Sequence, residues 1–175
     1  MSEARRSTLY LLRHAHSSWA SPGQRDHQRP LDSRGRDDAL ALGPELVRRG
    51  YLIDTVVCSS ASRAQETFAA VRPHLSAELP VETSDALYAL GIEAYLDAAH
   101  AHGGSRGLLL VGHNPMIEEV TLALAGNRDG AARETLESGF PTAGLAVLEF
   151  EGSLADIQPG TGHLVRLLHP RDLPR

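Results

Sequence analysis

The chain predicts an α/β fold: a mostly parallel sheet with helices on both faces. Three observations carry that expectation. Short apolar runs recur along the chain, longer mixed segments separate them, and the first three runs are continuous, as strands buried on both faces are. Strands are expected at residues 9–12, 55–58, 108–111, 145–150 and 164–168. Between the first two lies a helix over 34–49, closed by Gly50, with Pro44 expected to kink or split it. Ser60 is placed to cap a helix running to Arg72, where Pro73 stops it, and a further helix covers 92–102. After the third strand, Asn114 caps a helix with Pro115 at its first position, Glu118 and Glu119 in its early turns and Gly126 just past its end. Only a short loop with Gly152, Pro159, Gly160 and Gly162 joins the last two strands, so they are expected to pair antiparallel.

Composition bounds the function. The 175 residues are expected to form one domain over 1–175. Hydrophobic residues are 42% and charged residues 22%, ordinary for a globular protein, while aromatics at 5% leave the core to Leu, Val and Ala. A net charge of -5 argues against nucleic acid as a partner. No apolar run reaches the ~18 residues of a membrane helix, and the N-terminal apolar stretch is too short for a signal peptide. A lone cysteine, Cys58, suits a reducing compartment, so a cytoplasmic location is expected. All 17 basic residues are arginine. The absence of lysine excludes a Walker-type phosphate loop and every Schiff-base mechanism.

In open α/β sheets, ligands bind beyond the carboxyl ends of the strands. The first strand exits into Arg13-His14-Ala15-His16, the second into Cys58-Ser59-Ser60-Ala61-Ser62-Arg63, and the third into Gly112-His113-Asn114-Pro115. Three strand ends thus bring two arginines and at least two histidines to one sheet edge, beside two helix N-termini. That is an anion site, and a phosphoryl group is the anion it suits. A neutral His14 held in line can attack phosphorus. Arg13 and Arg63 can each grip two oxygens with a planar fork, and His113 can donate from a ring nitrogen. The remaining histidines, and Arg34, Arg36, Arg48 and Arg49, read as surface or structural groups.

Rival chemistries fare worse on spacing. Cys58 is followed by four residues before Arg63, one short of a cysteine-phosphatase loop, and Gly-x-Ser-x-Gly does not occur. A metal site on His14, His16 and His113 stays open as a minority reading, although it places i and i+2 neighbours on opposite strand faces and sets a cation beside two arginines.

Taken together, Leu-Leu-Arg13-His14-Ala15, Arg29-Pro30-Leu31 with Arg34-Gly35, Ser59-x-x-x-Arg63-Ala64-x-x-Thr67 and Val111-Gly112-His113-Asn114-Pro115 resemble the histidine phosphatase superfamily. The short length and the Arg-Pro-Leu element are similar to its SixA-type phosphohistidine phosphatases. The resemblance spans about residues 8–150. It implies a three-layer α/β/α sandwich of the phosphoglycerate mutase-like kind, with His14 as the phosphorylated nucleophile and Arg13, Arg63 and His113 completing the pocket. Arg29 matches a further phosphate-reaching residue, and no metal or organic cofactor is implied. The implied partners are proteins carrying phosphohistidine, or small phosphorylated compounds. Ala15 stands where the commonest motif has Gly, His16 where an acid often follows, and Ser60 where many members have Pro. Glu82, Asp85 and Glu93 lie in the stretch that holds a general acid elsewhere in the family, but none matches its context. A phosphohistidine leaving group can arrive already protonated, which lowers the need for one. Two alternatives remain at this point. A non-catalytic phospho-ligand domain would keep the pocket without turnover. A phosphoglycerate mutase would need a cap, for which the 50-residue intervals between Arg13, Arg63 and His113 leave little room.

Overall fold

The apolar run after the N-terminus forms the central strand of a six-stranded sheet in a computed structural model that describes residues 3–19 and 21–175. Strand β1 (Arg6–Arg13) lies between β4 (Gly107–Gly112), which is parallel to it, and β5 (Leu145–Glu151), which is antiparallel. Outward on one side come β2 (Thr55–Ser59) and β3 (Val81–Ser84), both parallel to their neighbours; on the other comes β6 (His163–Leu168), antiparallel to β5. The order is β3-β2-β4-β1-β5-β6. All five expected strands form, and the last two pair antiparallel. The sixth, β3, is a short edge of four residues, Val-Glu-Thr-Ser.

Alternate residues of the central strands serve two cores. Tyr10, Leu12, Val56, Cys58, Leu109 and Val111 face α1 (Ser33–Arg48) and α2 (Ser62–Val71). Leu9, Leu11, Val57, Leu108 and Leu110 face α3 (Ala86–Ala89), α4 (Ile92–Ala101), α5 (Met116–Leu124) and α6 (Ala131–Glu137). The result is the expected α/β/α sandwich. Cys58 is wholly buried in the α1/α2 layer, and burial pushes its thiol up to about 12. Among the described residues, no helix is long and apolar enough to cross a membrane.

Three helix expectations need correction. Helix α1 runs through Pro44 without being split, the proline removing only the one N–H that would have met the Leu40 carbonyl. Ser60 does not cap α2: the helix begins at Ser62 with Ala61 in the capping position, and the Ser60 hydroxyl bonds His27 instead, at 2.8 Å. Helix α5 starts at Met116, one residue later than expected, and Asn114 Oδ1 accepts from the Glu118 N–H at 3.2 Å.

Candidate active site

The loop after β1 is held on both sides by backbone. The His14 N–H donates to Gly112 (2.9 Å), while Ala143 N–H donates to the His14 carbonyl (3.1 Å). This leaves the imidazole at the carboxyl edge of the sheet. Its Nδ1 lies 2.7 Å from the Ala15 carbonyl, an obligate acceptor, so Nδ1 carries the proton and Nε2 presents its lone pair. Arg63 Nε donates toward that Nε2 at 3.4 Å. Thr67 ties the two segments together, accepting from the Ala15 N–H (2.9 Å) and donating to the Arg63 carbonyl (2.7 Å).

Arg63 is buried in the first turn of α2, and its terminal nitrogens are engaged by Asp26. One donates to the Asp26 carbonyl (2.8 Å) and the other to Asp26 Oδ2 (3.1 Å). Tyr88 Oη donates to the same Oδ2 (2.9 Å), and Arg29 donates to Oδ1 (2.9 Å). Desolvation opposes ionisation of Asp26, but hydrogen bonds from Tyr88 and Arg29 and the charge of Arg63 outweigh it, holding the carboxyl at about 2. The arginine fork expected to face a ligand therefore faces a carboxylate here, and only Nε looks toward His14. Arg29 also donates to the carbonyls of Ser18 (3.0 Å) and Ser17 (3.4 Å), and its charge is felt at His14.

His113 enters from the end of β4, its ring centroid 5.1 Å from that of His14. Its backbone N–H donates to Tyr95 Oη (3.0 Å), which donates to the Leu87 carbonyl (3.0 Å). Glycine at 112 permits this, since a Cβ there would lie 2.2 Å from Tyr95 Oη. The His113 Nε2 lies 2.7 Å from Ser59 Oγ. Arg13 donates through Nη1 to the Phe140 carbonyl (2.6 Å), while Glu118 accepts from the Phe140 N–H (2.7 Å). Among the described residues, the buried side-chain polar atoms without a partner are Arg13 Nε and His113 Nδ1.

Burial, joined by the positive charges of Arg63, Arg13 and Arg29, drives the His14 pKa down to about 4. Burial likewise, with His14 and Arg63 adding to it, drives His113 to about 3. Both imidazoles are neutral at neutral pH, so the site combines an uncharged nucleophile with fixed cations. It can receive a tetrahedral anion and attack it.

The structure thus brings His14, Arg63 and His113 into contact range, with Arg29 joined to them through Asp26 and Arg13 held at the Phe140 carbonyl, its charge felt at His14. His16 turns away to Asp32 at 2.5 Å. Glu82 pairs with His102 at the outer edge of the sheet (3.4 Å), far from any acid's role here. His27, read from sequence as peripheral, belongs to the rim: its ring stands edge-on to Tyr88 at 4.8 Å. Trp19 is 93% exposed beside Arg29, and Ala20 in the same loop lies outside the described residues. Asp26 and Tyr95 were not singled out in the sequence, and Ser59 figured there only as a motif position without a role. For Asp26 a signal existed, a carboxylate three positions before Arg29.

Comparisons with known proteins place the chain by family and fold. The model of the histidine phosphatase superfamily (branch 1) matches residues 9–95. An uncharacterised protein of Mycobacterium tuberculosis is 34% identical over 163 residues, covering 91% of this chain and 100% of the relative. A solved structure from Nakamurella multipartitia, provisionally named phosphohistidine phosphatase SixA, superposes with a TM-score of 0.80 at 34% identity, covering 94% of this chain and 96% of the other. Another of the same provisional name, from Agrobacterium tumefaciens, gives 0.79 at 32% identity, covering 94% and 99%.

Proposed function

The chain belongs to the histidine phosphatase superfamily and is a phosphatase, and from that premise we propose that it works through a phosphohistidine intermediate on His14, acting on phosphohistidine carried by proteins. The observation that carries this reading is the state of the His14 ring: Nδ1–H committed to the Ala15 carbonyl, and Nε2 unprotonated, with only a long hydrogen bond from Arg63 on its lone pair. In the first step the Nε2 lone pair forms a bond to phosphorus while the bond to the leaving nitrogen breaks. The departing imidazole keeps the proton it already carries. Positive charge that develops on the His14 ring is delocalised onto Nδ1–H and stabilised there by the Ala15 carbonyl, which accepts its hydrogen bond while the proton stays on Nδ1. In the second step water adds to phosphorus, the P–Nε2 bond breaks, the water proton passes to solvent or phosphate, and His14 returns neutral.

The phosphohistidine reading draws support from the carboxylates. Asp26, the one that touches Arg63, is held ionised and cannot donate a proton at neutral pH. A leaving group that needs little protonation suits such a site; an alkyl alkoxide does not. The provisional names of the similar structures point the same way. Small phosphorylated compounds remain the competing substrate class, and turnover compared between a phosphoramidate and an alkyl phosphate ester decides between them. Faster turnover of the ester would sink the phosphohistidine assignment.

The test of the intermediate is trapping with a labelled phosphoramidate in the presence of chelator. An acid-labile, alkali-stable label, absent from His14→Ala, is the expected result. Phosphate release with no label on the protein would mean direct attack by water and would overturn the reading.

A further inference from the structure

Ser59 ends β2 with its side chain wholly buried. Its hydroxyl accepts from the Ala61 N–H at 3.2 Å and lies 2.7 Å from His113 Nε2. A buried hydroxyl whose proton finds no acceptor costs free energy, and among the described residues the acceptor in reach is that Nε2. The hydroxyl proton therefore goes to Nε2, which must offer a lone pair. A neutral imidazole carries one N–H. In His113 it then resides on Nδ1, the buried ring atom with no partner in the protein.

We propose that Ser59 is a positioning residue that fixes His113 as its Nδ1–H tautomer, so that the ring turns a donor and not a lone pair toward the transferring phosphoryl group. Without Ser59 a lone pair at Nδ1 would face three anionic oxygens and repel them. Among the described residues, nothing else near the ring chooses the tautomer. Asp26, His14, Arg63 and His27 act on its charge, while the Tyr95 hydroxyl bonds only its backbone. A histidine side chain left to itself favours the Nε2–H form, so the choice has to be imposed. Ser59 does so from β2, one strand away from the ring it controls, and the same hydroxyl secures the Ala61 amide that leads into α2.

The tautomer stands on hydrogen bonding alone; its catalytic consequence rests on the phosphatase reading above. Long-range proton–nitrogen spectra of nitrogen-15-labelled protein at neutral pH read both ring nitrogens of His113 directly. In the unaltered chain Nδ1 is expected protonated and Nε2 not; the reverse would overturn the proposal without any variant. In Ser59→Ala the proton is expected to move to Nε2, with kcat falling about 10²- to 10³-fold, the cost of one lost donor in a preorganised site, and KM changing far less. Ser59→Thr keeps the hydroxyl and is expected to recover the Nδ1–H form. An alanine variant that loses activity while His113 keeps its Nδ1 proton would reduce Ser59 to a packing role and refute the idea. Failure of phosphoenzyme trapping at His14 would remove the catalytic consequence and leave the tautomer result intact, so the two can fail separately.

Discussion

At the scale of single residues, the site keeps two imidazoles uncharged by burial and by surrounding them with guanidinium groups. The measurable consequence is titration. Ring resonances of His14 and His113 are expected to titrate with midpoints near 4 and 3, against about 6.5 for a free histidine. Because the rings lie 5.1 Å apart, the two steps belong to the pair and not to either ring alone. A midpoint near 6.5 for either would mean that the pocket does not exclude water as described. Neutralising Arg63 as Arg63→Gln removes a positive charge that lowers both rings, and both midpoints are expected to rise. The same change removes the donor at His14 Nε2, with kcat expected to fall by about two orders of magnitude or more.

At the scale of elements, the loop after β1 owes its course to α1. Asp32 caps that helix by accepting from the Gly35 N–H at 2.8 Å, and also receives His16. A Cβ at Gly35 would stand 2.0 Å from the His16 carbonyl oxygen. Gly35→Ala is therefore expected to destabilise by about 1–3 kcal/mol, readable as a lower urea midpoint with an unchanged slope. This joint also marks where sequence reading stopped. Continuous apolar runs at 55–58 and 108–111 announced buried strands and, through the strand-exit rule, placed His14, Arg63 and His113 at one edge. β3 gave no such signal, because a polar four-residue edge strand has no apolar face to register. Asp26 escaped for another reason: it lies 37 positions from Arg63 and 62 from Tyr88, and only loop closure brings them together. The split considered at Pro44 does not occur, because the loss of one helical bond is outweighed by the burial of Leu42 and Leu46 on the same helix.

At the scale of the whole molecule, the two buried histidines link stability to pH. Both bind protons more weakly folded than unfolded, so the unfolded chain takes up more protons below about 6.5. Their contribution is complete above that value and is lost as pH falls toward 4 and then 3. The expected outcome is a melting temperature that declines steadily from pH 7 to pH 4, with a shallower decline in His113→Gln; equal slopes would contradict the assignment. The sheet itself sets the larger scale of stability. Leu109, fully buried between its neighbours and the α1/α2 layer, is expected to cost about 2–5 kcal/mol on truncation to alanine. The thiol of Cys58, sealed in that same layer with its pKa near 12, gives the molecule a built-in clock. Alkylating reagents react with thiolate, and the folded chain offers almost none. Iodoacetamide labelling in mildly alkaline buffer will therefore count only openings that separate β2 from its covering helices. Its rate, followed against denaturant, reports how often the core comes apart under conditions in which no spectroscopic change can be seen.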